Sequence, residues 1–210
     1  MGDRPEEGKA YGNLGIAYHN LGDFKKAIGY QERSLKIAKE LGDRSEEGKM
    51  YGNLGIAHHS LGDFKTAIGY HESYLNIVKE SGDRSEEEKV YGNLGIAHYK
   101  LGDFKTAIDY QERYLKLAKE LNDKSREGKA YCCLGNAHYN LGDVKTAIDY
   151  FERSLTISKN LGDKDGEGKA CGNLGNAHLG PGRKICMKPY GMKMTCSMVI
   201  KIMVNEINYY

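Results

Sequence analysis

The sequence predicts an all-α fold in which antiparallel helix pairs stack side by side as a solenoid. Three observations indicate this fold class: the chain repeats with a period of 40 residues, no proline occurs between Glu6 and Gly180, and small or apolar residues recur at helical spacing in every repeat. Residues 11–50 and 51–90 are identical at 29 of 40 positions. The repeats are therefore copies of one motif, as is typical of solenoid proteins.

The first half of each repeat predicts a helix, here called helix A. In the first repeat Tyr11, Leu14 and Tyr18 recur at spacings of three and four residues, which places them on one helix face. Gly15 shares this face, although a glycine inside a helix costs about 1 kcal/mol relative to alanine. Close packing would explain it, and we expect Gly15 to face the small Ala27 of the following helix.

The second half of each repeat predicts helix B, which follows a Leu-Gly-Asp turn. Gly22 is placed to end helix A, because glycine readily adopts the left-handed conformation that closes many helices. Asp23 is placed to cap helix B through its carboxylate. A similar three-residue motif separates successive repeats. The residues of helix B at helical spacing are Phe24, Ala27, Ile28, Gln31, Leu35 and Ala38.

The starts of the A helices differ along the chain. Asp43 and Glu46 have the spacing of a reciprocal capping box, in which each side chain bonds to the backbone of the other residue. Arg126 and Gly166 stand where later repeats would need the glutamate. We therefore expect the later A helices to fray more at their first turn.

The repeats define the domain organisation. Residues 180–210 lack the repeat pattern and form a divergent tail, which we expect to be disordered or an artefact of reading frame or splicing. Residues 1–4 match the joint between two repeats, which suggests a longer array with missing flanking repeats. The array spans residues 3–179, as repeats of about 3–42, 43–82, 83–122 and 123–162 and a partial repeat at 163–179.

These features resemble the tetratricopeptide repeat over residues 3–179: the Leu14-Gly15 pair, Tyr18 three residues later, the Gly-Asp turn and the alanine of helix B. The common form of that repeat has 34 residues and a proline after its second helix, where this chain has Lys39. The 40-residue unit is similar to arrays of partner-of-Inscuteable type G-protein-signalling modulators and of large animal tetratricopeptide scaffolds. The resemblance implies a right-handed superhelix whose concave groove, lined by A helices, binds a peptide or helix of a partner.

A second face of helix A carries candidate binding residues. Lys9, Asn13 and Ile16 lie within about 40° of one another at 100° per residue, opposite Tyr11 and Leu14. Asparagine can bond to the main chain of an extended ligand, lysine attracts carboxylates and isoleucine offers apolar contact. Stacked repeats would align these positions into a stripe. The predicted stripe comprises Lys9, Asn13, Ile16, Lys49, Asn53, Ile56, Lys89, Asn93, Ile96, Lys129, Asn136, Lys169, Asn173 and Asn176.

The stripe has a second interpretation, in which it binds nothing. The repeats are similar enough to be recent copies, so recurrence alone does not require selection for binding. Asn13 and its equivalents would then bond to neighbouring helices, and Lys9 would be solvated. We favour binding for the stripe as a whole, because solenoids use their concave faces for this purpose.

The predicted function is that of a non-catalytic adaptor or scaffold in the cytoplasm, with an acidic protein or peptide as the natural partner. One alternative is an RNA-binding helical repeat. Residues 1–180 carry 26 basic and 28 acidic groups, a net charge of −2, which argues against RNA. The other alternative is a structural fragment of a longer array. No apolar stretch approaches the roughly 18 residues of a membrane span, so no membrane partner is expected.

No catalytic, metal or cofactor site is predicted. Four of the seven histidines, including His58 and His138, occupy the core-facing position of Tyr18, so we expect them to be packed or hydrogen-bonded. The five cysteines form no CxxC pair, and we expect their thiols to stay reduced. The GPGRK segment at residues 180–184 lacks the spacing of a phosphate-binding loop.

Overall fold

A computed structural model describes residues 3–179, and all regular secondary structure in this range is α-helical, as predicted. The expectations for the tail at 180–210 lie outside the described residues. Odd-numbered helices correspond to helix A and even-numbered helices to helix B. The helices are α1 (Arg4–Asn20), α2 (Phe24–Leu41), α3 (Arg44–Ser60), α4 (Phe64–Ser81), α5 (Arg84–Lys100), α6 (Phe104–Glu120), α7 (Lys124–Asn140), α8 (Val144–Leu161) and α9 (Lys164–Leu179).

The helices group into two compact modules. The N-terminal module ends at Asp103 and contains α1 to α5, and the C-terminal module begins at Phe104 and contains α6 to α9. In the N-terminal module α1 pairs with α2, α3 pairs with α4, and each of the helices α2 and α4 also packs on the helix after it. In the C-terminal module α6 packs on α7, α7 pairs with α8, and α8 packs on α9. This serial packing of neighbours is the arrangement of a helical solenoid.

Glycines and aspartates end and start the helices as predicted. Gly22 has a φ of 79° and Gly42 a φ of 68°, in the left-handed region where a side chain would be strained. Asp23 then accepts a hydrogen bond from the backbone N–H of Lys26 at 3.2 Å. Asn122 stands at the position of Gly42 and has a φ of 56°. Asparagine tolerates this conformation better than most residues, so the turn survives the exchange.

The later A helices keep their caps. Asp123 accepts a hydrogen bond from the backbone N–H of Arg126 at 2.9 Å, and Asp163 accepts one from that of Gly166 at 3.0 Å. The glutamate half of the capping box adds little earlier in the chain, because the carboxylate of Glu46 binds Lys49. The expected difference between early and late helix starts is therefore not visible in their cap geometry.

Three helix pairs, α1 with α2, α3 with α4 and α7 with α8, close over a glycine of helix A. A Cβ on Gly15 would lie 2.5 Å from Cγ of Gln31 and 3.2 Å from the carbonyl oxygen of Ala27. The expected neighbour Ala27 is therefore close, but the Gln31 side chain is closer and is only 1% exposed. Gln31 is one of the helix B residues that the sequence places at helical spacing. The other two pairs are equivalent. A Cβ on Gly55 would lie 2.5 Å from the His71 ring, and a Cβ on Gly135 would lie 2.5 Å from the Phe151 ring.

Candidate functional site

The N-terminal module carries an open groove with a volume of about 1070 Å³, formed over α1, α3 and α5 and the end of α4. The helix pairing explains its position, because the B helices cover one side of the A helices and leave the opposite side open. Eight residues of the predicted stripe line this groove: Lys9, Asn13, Ile16, Lys49, Asn53, Ile56, Lys89 and Asn93.

The apolar members of the stripe are exposed. Ile16 is 45% exposed, Ile56 43% and Ile96 37%. All three occupy the same repeat position, on α1, α3 and α5 respectively. An exposed isoleucine needs no explanation on its own, but the recurrence on three A helices places apolar surface along one side of the module.

The asparagines are accessible and have free hydrogen-bonding capacity. Asn13 is exposed, while Asn53 and Asn93 are partly buried. Within residues 3–179, the side-chain amides of these three residues make no hydrogen bond. Each carboxamide therefore offers a donor and an acceptor to a ligand. Within the described residues of this module, these asparagine side chains therefore do not hydrogen-bond to neighbouring helices.

Tyr74 of α4 forms part of the groove wall. A Cβ on Gly52 would lie 3.1 Å from the Tyr74 ring, so the tyrosine packs directly against the bare backbone of α3. Its hydroxyl donates a hydrogen bond to Glu86 of α5 at 3.0 Å. Burial and this nearby carboxylate raise the pKa of Tyr74 above its usual value. Sequence analysis missed this residue, although Tyr74 differs visibly from Ser34 at the equivalent position of the first repeat.

The charges of the groove are balanced. Its four basic residues are matched by four acidic ones, Glu46, Glu80, Asp83 and Glu86. All four basic side chains also take part in ion pairs, and the hydrogen bond with Glu6 holds the pKa of Lys9 above its usual value. The pairs are Lys9 with Glu6 at 2.9 Å, Arg44 with Glu80 at 2.8 Å, Lys49 with Glu46 at 3.2 Å, and Lys89 with Glu86.

The ion pairs of Lys9, Lys49 and Lys89 are not among the features predicted from the sequence. The signal for the pairs was present, because a glutamate stands three residues before each of these lysines and such residues are neighbours on a helix. Among these glutamates, the sequence analysis assigns Glu46 to a helix cap. Arg44 was not predicted as a groove residue.

The stripe residues of the C-terminal module are arranged differently. The side-chain amides of Asn136 and Asn173 donate hydrogen bonds to the Cys132 sulfur at 3.9 and 3.5 Å. Burial raises the pKa of the Cys132 thiol. Lys169 pairs with Asp165. Here the non-binding interpretation of the asparagines fits, since Asn173 of α9 bonds to a residue of α7.

The remaining stripe residues of that module, Lys129 and Asn176, do not line a described cavity either. Lys129 is exposed, and the backbone carbonyl of Asn176 accepts a hydrogen bond from the Tyr139 hydroxyl at 3.4 Å. The module has a cavity of about 670 Å³, but it is lined by other residues, including Tyr131 and Arg153. Eight of the nine predicted residues of the N-terminal module therefore line one groove, whereas in the C-terminal module Asn136 and Asn173 meet at the Cys132 sulfur.

His58 and His138 are packed and hydrogen-bonded, as expected, whereas His178 at the same repeat position is exposed. Nδ1 of His58 lies 3.2 Å from the carboxylate of Asp63, and the His58 ring lies against Tyr70 with centroids 5.3 Å apart. His138 repeats this geometry with Asp143 at 3.3 Å. Each pair links the end of an A helix to the cap of the next B helix. These imidazoles are part of the turn structure.

Over residues 3–179, no three His, Cys, Asp or Glu side chains are grouped so that they could hold a metal ion. In the same range no helix is both long and apolar enough to cross a membrane. Cys132 and Cys133 carry free thiols.

Comparisons with known proteins agree with this architecture. Family models described as tetratricopeptide repeat match residues 6–80, 46–120 and 128–161. No curated protein sequence matches the chain. Among solved structures, BtubC (BKLC) from P. vanneervenii is 25% identical, with a TM-score of 0.73 over 94% of this chain and 79% of that one.

Two further solved structures share the fold at lower identity. A Signal Transduction ATPase with Numerous Domains (STAND) protein with a tetratricopeptide repeat sensor, from Pyrococcus horikoshii, is 21% identical with a TM-score of 0.79, over 85% of this chain but only 28% of that one. Aspartyl phosphate phosphatase F from Bacillus subtilis is 18% identical with a TM-score of 0.72, over 83% of this chain and 47% of that one. This chain thus spans less than half the length of either protein.

Proposed function

Because the chain belongs to the tetratricopeptide repeat family, we propose that it is a non-catalytic protein-interaction scaffold that holds a segment of a partner protein in the groove of its N-terminal module. The observation that carries this proposal is the row of asparagine carboxamides on three successive A helices. Asn13, Asn53 and Asn93 face the groove and make no hydrogen bond within residues 3–179.

Carboxamides arranged in this way suit a main-chain ligand. A peptide unit carries one donor and one acceptor, and an asparagine side chain can satisfy both. Recognition of the main chain by side chains of a groove is a recurring mode of peptide binding. The groove volume of about 1070 Å³ also exceeds that of most small-molecule pockets, which hold about 300 to 1,000 Å³. An extended peptide segment matches both the chemistry and the size.

The C-terminal module supplies an internal comparison. There Asn136 and Asn173 already donate to Cys132, so their amides have less capacity for a ligand. We therefore assign binding to the N-terminal module only. The acidic character expected of the partner is not part of this proposal, because the lysines of the groove are already paired with carboxylates.

RNA binding is the rival function, and the geometry gives it little support. Nucleic-acid affinity depends on neutralising phosphates with Lys and Arg. The basic residues of the groove are all engaged with carboxylates on neighbouring positions. A phosphate backbone would meet four acidic groups in the same groove.

The test is affinity capture with the full chain and with the variant Asn53→Ala, Asn93→Ala. We expect partners captured by the wild type to be lost, or weakened at least tenfold, with the double variant. The variant Asn136→Ala, Asn173→Ala is the matched control, since it removes the same groups from the other module and should leave capture unchanged. Circular dichroism checks that both variants keep their helix content. Equal capture by wild type and both folded variants would reject the groove.

A further inference from the structure

The groove of the N-terminal module combines two features that together restrict the chemistry of its partner. Its lysines and Arg44 are neutralised within the module, and its isoleucines are not covered. The inference developed from these features rests on the proposed function, because it names the kind of segment that this same groove takes.

Charge gives the groove little reason to select an acidic segment. A partner carboxylate that approached Lys49 would meet an ammonium group whose charge Glu46 already balances. The net Coulomb gain at this exposed pair is therefore small. Glu80 and Glu86 would still face the incoming carboxylate and repel it. A basic segment gains equally little from Glu46, Glu80 and Glu86, since these carboxylates are paired as well, and Asp83 is engaged in capping α5.

The asparagines cannot select side chains, because they offer their amides to the main chain. Every peptide has the same main-chain groups, so Asn13, Asn53 and Asn93 supply affinity without sequence preference. Selectivity must therefore come from the remaining surface. The uncharged side chains that recur there are Ile16 and Ile56 in the groove itself and Ile96 at the same position of α5.

We propose that the N-terminal module selects an extended, uncharged protein segment whose apolar side chains cover Ile16, Ile56 and Ile96 while its main chain bonds to the three asparagines. Burial of apolar surface is the dominant favourable contribution available to such a complex. Salt hardly weakens contacts of this kind, in contrast to contacts between charges. The partner segment is therefore rich in aliphatic or aromatic residues, and its binding persists at high ionic strength.

The chain itself supplies fold-compatible test variants. At the position of Ile56 and Ile96, the C-terminal module has Asn136 and Asn176, and the helices α7 and α9 still form. The double variant Ile56→Asn, Ile96→Asn thus copies an exchange that this repeat already contains. It removes apolar surface from the groove and leaves the helix packing unchanged.

The experiment is selection of a phage-displayed random peptide library on the full chain, with the folded Ile56→Asn, Ile96→Asn variant as counter-selection. We expect enriched peptides rich in Leu, Ile, Val and Phe and poor in Asp and Glu. For the best peptide, Kd should change by less than about threefold between about 50 and about 500 mM NaCl. The isoleucine variant should raise Kd by about tenfold or more, whereas Lys49→Gln should change it by less than about twofold.

The outcomes separate this inference from the proposed function. An acidic consensus, or binding that fails with Lys49→Gln or in high salt, would overturn the apolar selectivity. If those peptides still lost binding to the Asn53→Ala, Asn93→Ala variant, the groove would remain the binding site. If neither the asparagine nor the isoleucine variant affected any selected peptide, both proposals would fail. A library without any peptide enriched over the counter-selection would also contradict the apolar preference.

Discussion

The imidazole of His71 lies directly against the backbone of Gly55, so closely that a Cβ on this glycine would be 2.5 Å from the ring carbon Cε1. His71 comes from α4 and Gly55 from α3, and the ring is 1% exposed. The contact fixes the separation of the two helices at the centre of the second helix pair.

We predict that Gly55→Ala destabilises the protein. The added methyl would overlap a buried ring, and overpacking of this kind typically costs about 1–3 kcal/mol. The better helix propensity of alanine offsets up to about 1 kcal/mol of this. Urea unfolding followed by circular dichroism measures the difference. Gly69→Ala is the control, because nothing lies within 4 Å of its added Cβ, and it should stabilise the helix slightly.

The same histidine predicts a pH dependence of stability. Burial, and secondarily the nearby His59, lower the pKa of His71 to about 4. An unfolded chain has a histidine pKa of about 6.5, so the unfolded state binds the proton more readily. Stability is therefore complete above about pH 6.5 and is lost as the pH falls towards 4, by about 3 kcal/mol in total.

The variant His71→Gln isolates this contribution from the acid titration of carboxylates. Glutamine occupies the equivalent positions Gln31 and Gln111, both nearly fully buried, so the exchange suits the repeat. Free energies of unfolding measured from pH 7.5 to 4 should fall less steeply for the variant than for the wild type. Parallel curves would show that His71 does not titrate as argued.

Ser34 should contribute through a buried hydrogen bond. Its hydroxyl, in a residue that is 0% exposed, donates to the carbonyl oxygen of Gly8 at 2.8 Å. Loss of such a bond in Ser34→Ala should cost about 1 kcal/mol. Ser73→Ala removes an exposed hydroxyl that bonds to Gly69 within its own helix, and it should have almost no effect. Denaturant titration of both variants tests the contrast, and equal midpoints would contradict it.

Cys132 and Cys133 should react slowly in the folded chain. Burial raises the pKa of Cys132, and burial together with Cys132 raises that of Cys133 to about 12. Only the thiolate is nucleophilic, so at pH 8 the reactive fraction of Cys133 is about a thousandfold below that of a thiol with a pKa of 9. Iodoacetamide labelling read by mass spectrometry should mark both residues faster in denaturant, and equal rates with and without denaturant would refute the argument.

The fold was predictable because its determinants are local. Helix ends depend on residues such as Gly22 and Asp23, whose backbone preferences act wherever they occur. A repeat multiplies this signal, so the bounds of the helices follow from a single motif. The match of Gly15 to Gln31, rather than to Ala27 alone, was not predictable in the same way. It depends on the rotation of one helix relative to the other, which spacing does not specify.

The groove could be predicted only in part. The face that carries Asn53 and Ile56 follows from helix geometry, but the state of each side chain depends on its neighbours. The Lys49–Glu46 pair forms within one helix and had a visible signal in the sequence. The bonds of Asn136 and Asn173 to Cys132 arise because one repeat has a cysteine where the others have glycine. The repeat pattern does not predict what a single exchanged residue will contact.

The glycine contact between paired helices has a practical consequence for protein engineering. The space beside the glycine of the first helix accommodates glutamine, histidine or phenylalanine from the second helix, and the helix pair keeps the same architecture. A hybrid hairpin that combines the first helix of one repeat with the second helix of another is therefore expected to keep this contact. The exposed residues of a hairpin can thus be varied in a design while the glycine contact between its two helices is kept.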